Sequence, residues 1–100
     1  MKLKIKKSAD NGRSMFSLAG EISIYTVKGL KKLIDTEFGK NASVELEMSG
    51  IDRIDTAGFQ LLLYMQREAE SMNTEILFRN VNEAVKSVFN FYRETCPTGA

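Results

Sequence analysis

The chain has 100 residues, 43% apolar and 27% charged, with a formal net charge of +1, one cysteine and no histidine. This length supports one hydrophobic core and not two, and a near-neutral balance gives no general field to attract nucleic acid or an acidic membrane. Without histidine there are no histidine triads or Cys/His dyads, and Cys96 alone forms no intramolecular disulfide and no ordinary zinc site, which fits a reducing compartment.

Leu3 and Ile5 alternate with Lys2, Lys4, Lys6 and Lys7, which reads as a strand with a solvated lysine face rather than a phosphate-binding arm. The start of the chain lacks the uninterrupted apolar stretch of a signal peptide, and no run approaches the roughly 20 apolar residues that cross a bilayer. A cytoplasmic location without membrane insertion is therefore expected. Asn11-Gly12 is a type I′ hairpin signal that sets Asp10 opposite Arg13 and Ile5 opposite Leu18, with Phe16 and Leu18 on the second strand. Val27, Leu30, Leu33, Ile34 and Phe38 then recur at helical spacing, predicting a helix that starts near a Thr26 cap and ends at Gly39. Val44, Leu46 and Met48 alternate with Glu45 and Glu47, predicting a strand with one packed and one wet face, so helices cover mainly one side of the sheet.

Residues 49–55 read as a connection into a second helix that opens at Asp55-Thr56 and buries Phe59, Leu62, Leu63, Ala69 and Met72, with Gln66, Arg67, Glu68 and Glu70 outward. A short strand over 75–79 centres on Ile76, Leu77 and Phe78. Asn80-Val81-Asn82-Glu83 has capping-box spacing, and Val85, Val88, Phe89 and Tyr92 form the buried stripe of a third helix before a loose tail with Pro97 and Gly99. Successive β-α-β units imply right-handed crossovers and parallel strands, with the first strand antiparallel at an edge. The expected fold is α/β: a mixed sheet of about four strands, an N-terminal hairpin and three helices mainly on one face, as one domain over 1–95 with a tail at 96–100.

The chemistry concentrates at Asp55-Thr56-Ala57-Gly58. Asp55 or Thr56 caps the helix, worth about 1 kcal/mol. Gly58 falls within the first helical turn, where glycine is costly; it serves either close approach to a neighbouring element or access of a partner to the amides of residues 57–59. No catalytic residue, cofactor or metal is expected, since neither Asp55 nor Glu21 has the partners that would make a lone carboxylate a base, and a single Asp-Thr-x-Gly loop before a helix does not make a two-carboxylate protease site. Ser23, Tyr25 and Arg53 fall at the carboxyl ends of strands, where open α/β sheets present binding rims. Met72, Phe89, Phe91 and Tyr92 have the spacing of core residues rather than of a base-stacking patch, and Phe59 also reads as core.

Leu18-Ala19-Gly20-Glu21-Ile22, Asp55-Thr56-Ala57-Gly58 with its leucine run, and Asn82-Glu83-Ala84-Val85 through Phe89 together resemble the STAS domain of bacterial anti-sigma factor antagonists and sulfate-transporter tails. The order and spacing of these segments, covering most of the chain, carry the resemblance. It implies a non-catalytic bacterial protein, a monomer or weak dimer, that binds an anti-sigma factor acting also as a serine/threonine kinase. It implies phosphorylation at Thr56, and a partner surface at Asp55, Thr56, Ala57 and Gly58 flanked by Ser23, Tyr25 and Arg53. Many phosphorylated members carry serine where this chain has Thr56 and Ala57. Variants with Asp-Thr-x-Gly resemble STAS proteins of other systems, which gives the alternative of a constitutive subunit of a lipid-transport ATPase or signalling complex.

Overall fold

Alternation and turn chemistry set the first two strands. In the computed structural model, which describes residues 3–10, 12–38 and 43–92, β1 (Leu3–Asp10) and β2 (Arg13–Ile22) pair antiparallel. Asp10 lies opposite Arg13 and Ile5 opposite Leu18. Gly12 has φ +81°, the left-handed backbone that a tight hairpin turn requires. β2 then pairs parallel with β3 (Ser43–Ile54), and β3 parallel with β4 (Glu75–Arg79), giving the order β1-β2-β3-β4. The connections after β2, β3 and β4 carry α1 (Val27–Asp35), α2 (Thr56–Ser71) and α3 (Glu83–Phe91). The mixed four-stranded sheet, hairpin and three helices agree with the sequence expectation.

The period of two decides which face the helices cover. Phe16 and Leu18 on β2, Val44, Leu46 and Met48 on β3, and Ile76 and Phe78 on β4 are buried, while Met15, Ser17 and Ala19 between them are exposed. Leu30 and Ile34 of α1, Leu62 and Met65 of α2, and Val85 and Phe89 of α3 close over the apolar side. Side chains of this kind each contribute about 1.5–3 kcal/mol when buried. Phe59 and Phe89 meet edge to face at 5.1 Å, fastening α2 to α3.

Several local expectations are corrected. β3 runs on to Ile54, so residues 49–54 are strand; the β2–β3 register shifts near Ala19 and again after Gly20, and Gly50 fits there because a Cβ would stand 2.8 Å from the Leu18 carbonyl oxygen. Glu45 is not on a wet face: it is 5% exposed, because Arg13 and Arg79 from the neighbouring strands reach it at 3.3 and 2.8 Å. Lys7 stays exposed with the other lysines and also pairs at 2.9 Å with the buried Glu37, which accepts from Ser14 Oγ as well. α1 stops at Asp35, and the turn after it, with Thr36 Oγ1 donating to Leu33 O, carries Glu37 to these partners and Phe38 into the core.

Met72 caps the C-terminus of α2 and is exposed, while Leu61 and Met65 complete its buried face. α3 is capped by Asn82, one residue before its first turn, and Asn80 takes a positive φ in the preceding bend. Phe91 and Tyr92, the last residue of α3 and its C-cap, are exposed rather than core. Asn11, Gly39, Cys96, Pro97, Gly99 and the boundary at residue 95 lie outside the described residues. Among the described residues, no helix is long and apolar enough to cross a membrane.

Candidate functional site

Parallel pairing sets Ile22 beside Ile54, so the loop after β2 and the start of α2 emerge together. Asp55 ties them. Its backbone is extended; its Oδ1 accepts from the Gly58 amide at 2.8 Å, and its Oδ2 accepts from the Ile24 amide at 3.0 Å. Its own amide donates to the Ile22 carbonyl. Burial works against the charge on Asp55, but the amides of Ile24, Gly58 and Ala57 together outweigh it and hold the carboxyl below the ordinary aspartate range.

The loop at residues 23–26 is closed by its own side chains. Thr26 Oγ1 accepts from the Ser23 amide and donates to the Glu21 carbonyl, both at 2.9 Å. Ser23 Oγ accepts from the Tyr25 amide at 3.2 Å and donates to the buried Glu21 carboxylate at 2.5 Å. Thr26 thus precedes α1 without capping it by its side chain, because its hydroxyl is committed to this loop. The outcome is an outward presentation of Ile24 and Tyr25, 62% and 77% exposed. Ser23, Tyr25, Arg53 and Asp55, singled out in the sequence, line one shallow depression together with Glu21 and Ile24.

On the opposite side of Asp55, Thr56 opens α2 with an exposed hydroxyl. Its Oγ1 lies 3.3 Å from the Tyr92 hydroxyl. The Tyr92 ring stacks on Phe59 at 4.5 Å with an interplanar angle of 11°, and Phe91 meets Tyr92 edge to face at 5.0 Å. Ala57 is half-buried and Phe59 is core. Gly58 is buried, and a Cβ there would stand 2.0 Å from the Ile22 carbonyl oxygen. The glycine therefore answers to the close approach of α2 and β2, and the reading of an opening for an outside group is corrected.

The arrangement offers an exposed hydroxyl between two apolar projections, with a carboxylate committed to backbone amides. Among the described residues no group of three or more histidine, cysteine, aspartate or glutamate side chains converges on a metal-sized site. Ile24 and Phe91, both strongly exposed, escaped sequence reasoning. Ile24 sits between two polar-tipped residues outside any period, whereas Phe91 shares a helical run with buried Phe89 and half-buried Val88 and is exposed as its last residue.

A family model described as "Mlab, STAS domain" matches residues 5–93. No curated protein matches the chain at a significant level. Among solved structures, the unphosphorylated anti-sigma factor antagonist SpoIIAA is 19% identical, with a TM-score of 0.75, covering 92% of this chain and 81% of its own. An anti-sigma factor antagonist of Thermotoga maritima, so described with reserve, is 17% identical with a TM-score of 0.78, covering 96% and 86%. A sulfate transporter family protein from Wolinella succinogenes is 21% identical with a TM-score of 0.74, covering 87% and 71%. At these identities the structural likenesses establish a shared fold.

Proposed function

Because the chain belongs to the STAS domain family, we propose that it is a non-catalytic partner-switching regulator, binding an anti-sigma factor that is also a serine/threonine kinase. The observation that carries this reading is the exposed Thr56 hydroxyl, flanked by Ile24 and Tyr25 on one side and Phe91 on the other. Apolar and aromatic groups around a polar centre suit a protein interface. Asp55, Thr56, Ala57 and Gly58, with Ser23, Tyr25 and Arg53, form the partner surface, in which Asp55 and Gly58 hold the frame and Tyr25 and Thr56 make contact.

Phosphorylation of Thr56 is the switch. The Oγ1–phosphorus bond forms as phosphorus parts from the bridging oxygen of a nucleoside triphosphate; the diphosphate leaves, and the hydroxyl proton passes to the kinase. The product carries about −1.5 to −2 charges at the centre of the interface. Against an acidic or apolar partner surface this costs several kcal/mol, with each 1.4 kcal/mol worth roughly tenfold in affinity. Incubation with the candidate kinase and ATP should yield a phosphate adduct on Thr56 by mass spectrometry, and Thr56→Glu should abolish capture of the kinase. Absence of the adduct together with wild-type binding by Thr56→Glu refutes the switch.

A second reading is a constitutive subunit of a lipid-transport ATPase or signalling complex, docked by the same surface. Thr56 and Ala57 in place of serines favour it, as does the occurrence of this fold in a sulfate transporter family protein. Stoichiometric recovery of a transport ATPase without a kinase, on purification from the native host, selects this reading over the first.

A further inference from the structure

We infer that the last turn of α3 carries a subsite for a phosphate group on Thr56, with Tyr92 as its hydrogen-bond donor and Ser87 beside it. The inference rests on Thr56 as the modified residue and adds where the phosphate goes. A depression on the α3 side of Thr56 is lined by Ser87, Val88, Phe91 and Tyr92, with Asp55 at its rim. The two hydroxyls of α3 stand there between apolar walls.

Three observations aim a phosphate into this depression. First, the hydroxyls of Thr56 and Tyr92 stand 3.3 Å apart, a long and therefore weak O–H···O contact in which either can donate. A group that extends Thr56 and adds acceptor oxygens closes it with a charge-assisted bond. Second, the Tyr92 ring is held by its stack on Phe59 and its edge contact with Phe91, so the phenol is already in place. Third, Asp55 is the one charged residue lining this depression among the described residues, and both its oxygens are turned to the Gly58 and Ile24 amides. Thr56 itself lines this depression and not the one on the far side of Asp55, where Arg53 and Glu21 stand. A phosphate on Thr56 therefore starts out on the Tyr92 side of Asp55. Modification would fasten α3 to α2 while it disrupts the partner surface.

The test installs phosphothreonine at position 56 of the full chain by genetic encoding and follows its phosphorus resonance through a pH titration. Donation from Tyr92 stabilises the dianion, so Tyr92→Phe, which keeps the ring stack and removes the donor, should raise the second phosphate pKa by about half a unit or more. Ser87→Ala should raise it by less. Ring contacts between Phe59 and residue 92 in the same spectra verify that the phenylalanine variant keeps its stack. An unchanged or lowered phosphate pKa in Tyr92→Phe overturns the subsite. The phosphate is placed without a kinase or partner, so this result stands apart from whether the native host modifies Thr56.

Discussion

α2 and α3 begin alike and end up serving differently. Each follows a strand that lies parallel to its neighbour, each is capped by a side chain that accepts from an amide three residues on, and each cap uses its second polar atom on a distant strand or loop. Asn82 accepts from the Val85 amide and donates to the Ile51 carbonyl, so one neutral amide satisfies a donor and an acceptor. Asp55 has two acceptors, binds two amides, and leaves a charge at the surface beside the exposed Thr56 hydroxyl. The capped amide belongs to Val85 in α3, whose side chain fills the core, and to Gly58 in α2, where no side chain fits. A neutral cap with a core residue is a structural fastening; a charged cap with a glycine brings helix, loop and hydroxyl to one surface.

The largest test of this contrast is at the capped residues. Gly58→Ala should cost about 3 kcal/mol or more, because the methyl group meets the Ile22 backbone, and urea unfolding will register it. Asn82→Ala should cost about 2 kcal/mol, combining a lost cap with an unpaired Ile51 carbonyl, while partner capture stays at wild-type level. Asp55→Ala should cost about 1–2 kcal/mol. Unlike Asn82→Ala, it should also speed hydrogen exchange at the Ile24 amide and reduce partner capture. Equal binding losses for the two alanine variants would erase the distinction between the caps.

Acid sharpens the same comparison. The folded-state pKa of Asp55 lies below its unfolded value, so its contribution is complete above about pH 4 and is lost as pH falls through the folded value. Unfolding curves of wild type and Asp55→Asn should converge in that acid range, whereas Asn82→Asp should introduce a new acid dependence at α3. The smallest effect is expected from Thr56→Val, within about 0.5 kcal/mol in stability, with complete loss of any phosphate adduct at that position.

Most of the fold was legible because its cues are local and periodic. Asn11-Gly12 set the hairpin register, and alternation about Leu46 and Phe78 set the strands. What was misread depends on neighbours far along the chain. Glu45 has the pattern of a solvated residue until Arg13 and Arg79 arrive from either side. Tyr92 has the spacing of the buried stripe, yet as the C-cap of α3 it is exposed and its ring lies on Phe59. At the site, the clustering of Ser23, Tyr25, Arg53 and Asp55 followed from the rule for strand ends, but the partner of Gly58 did not, since a helical glycine looks the same whether it faces a neighbour or an opening. The link from Asp55 to Ile24 spans residues that share no motif, and only parallel pairing of β2 and β3 reveals it.

The hydrogen-bonded closure of residues 23–26 has a kinetic consequence. Ile24 and Tyr25 are held outward before any encounter, so docking on them requires no slow ordering of the loop. Association should follow a single phase in the range of about 10⁵–10⁷ M⁻¹s⁻¹ that rigid patches reach, and changes at Tyr25 should appear as shorter residence times rather than slower capture. Loosening the loop through Ser23→Ala transfers part of that deficit to the association step.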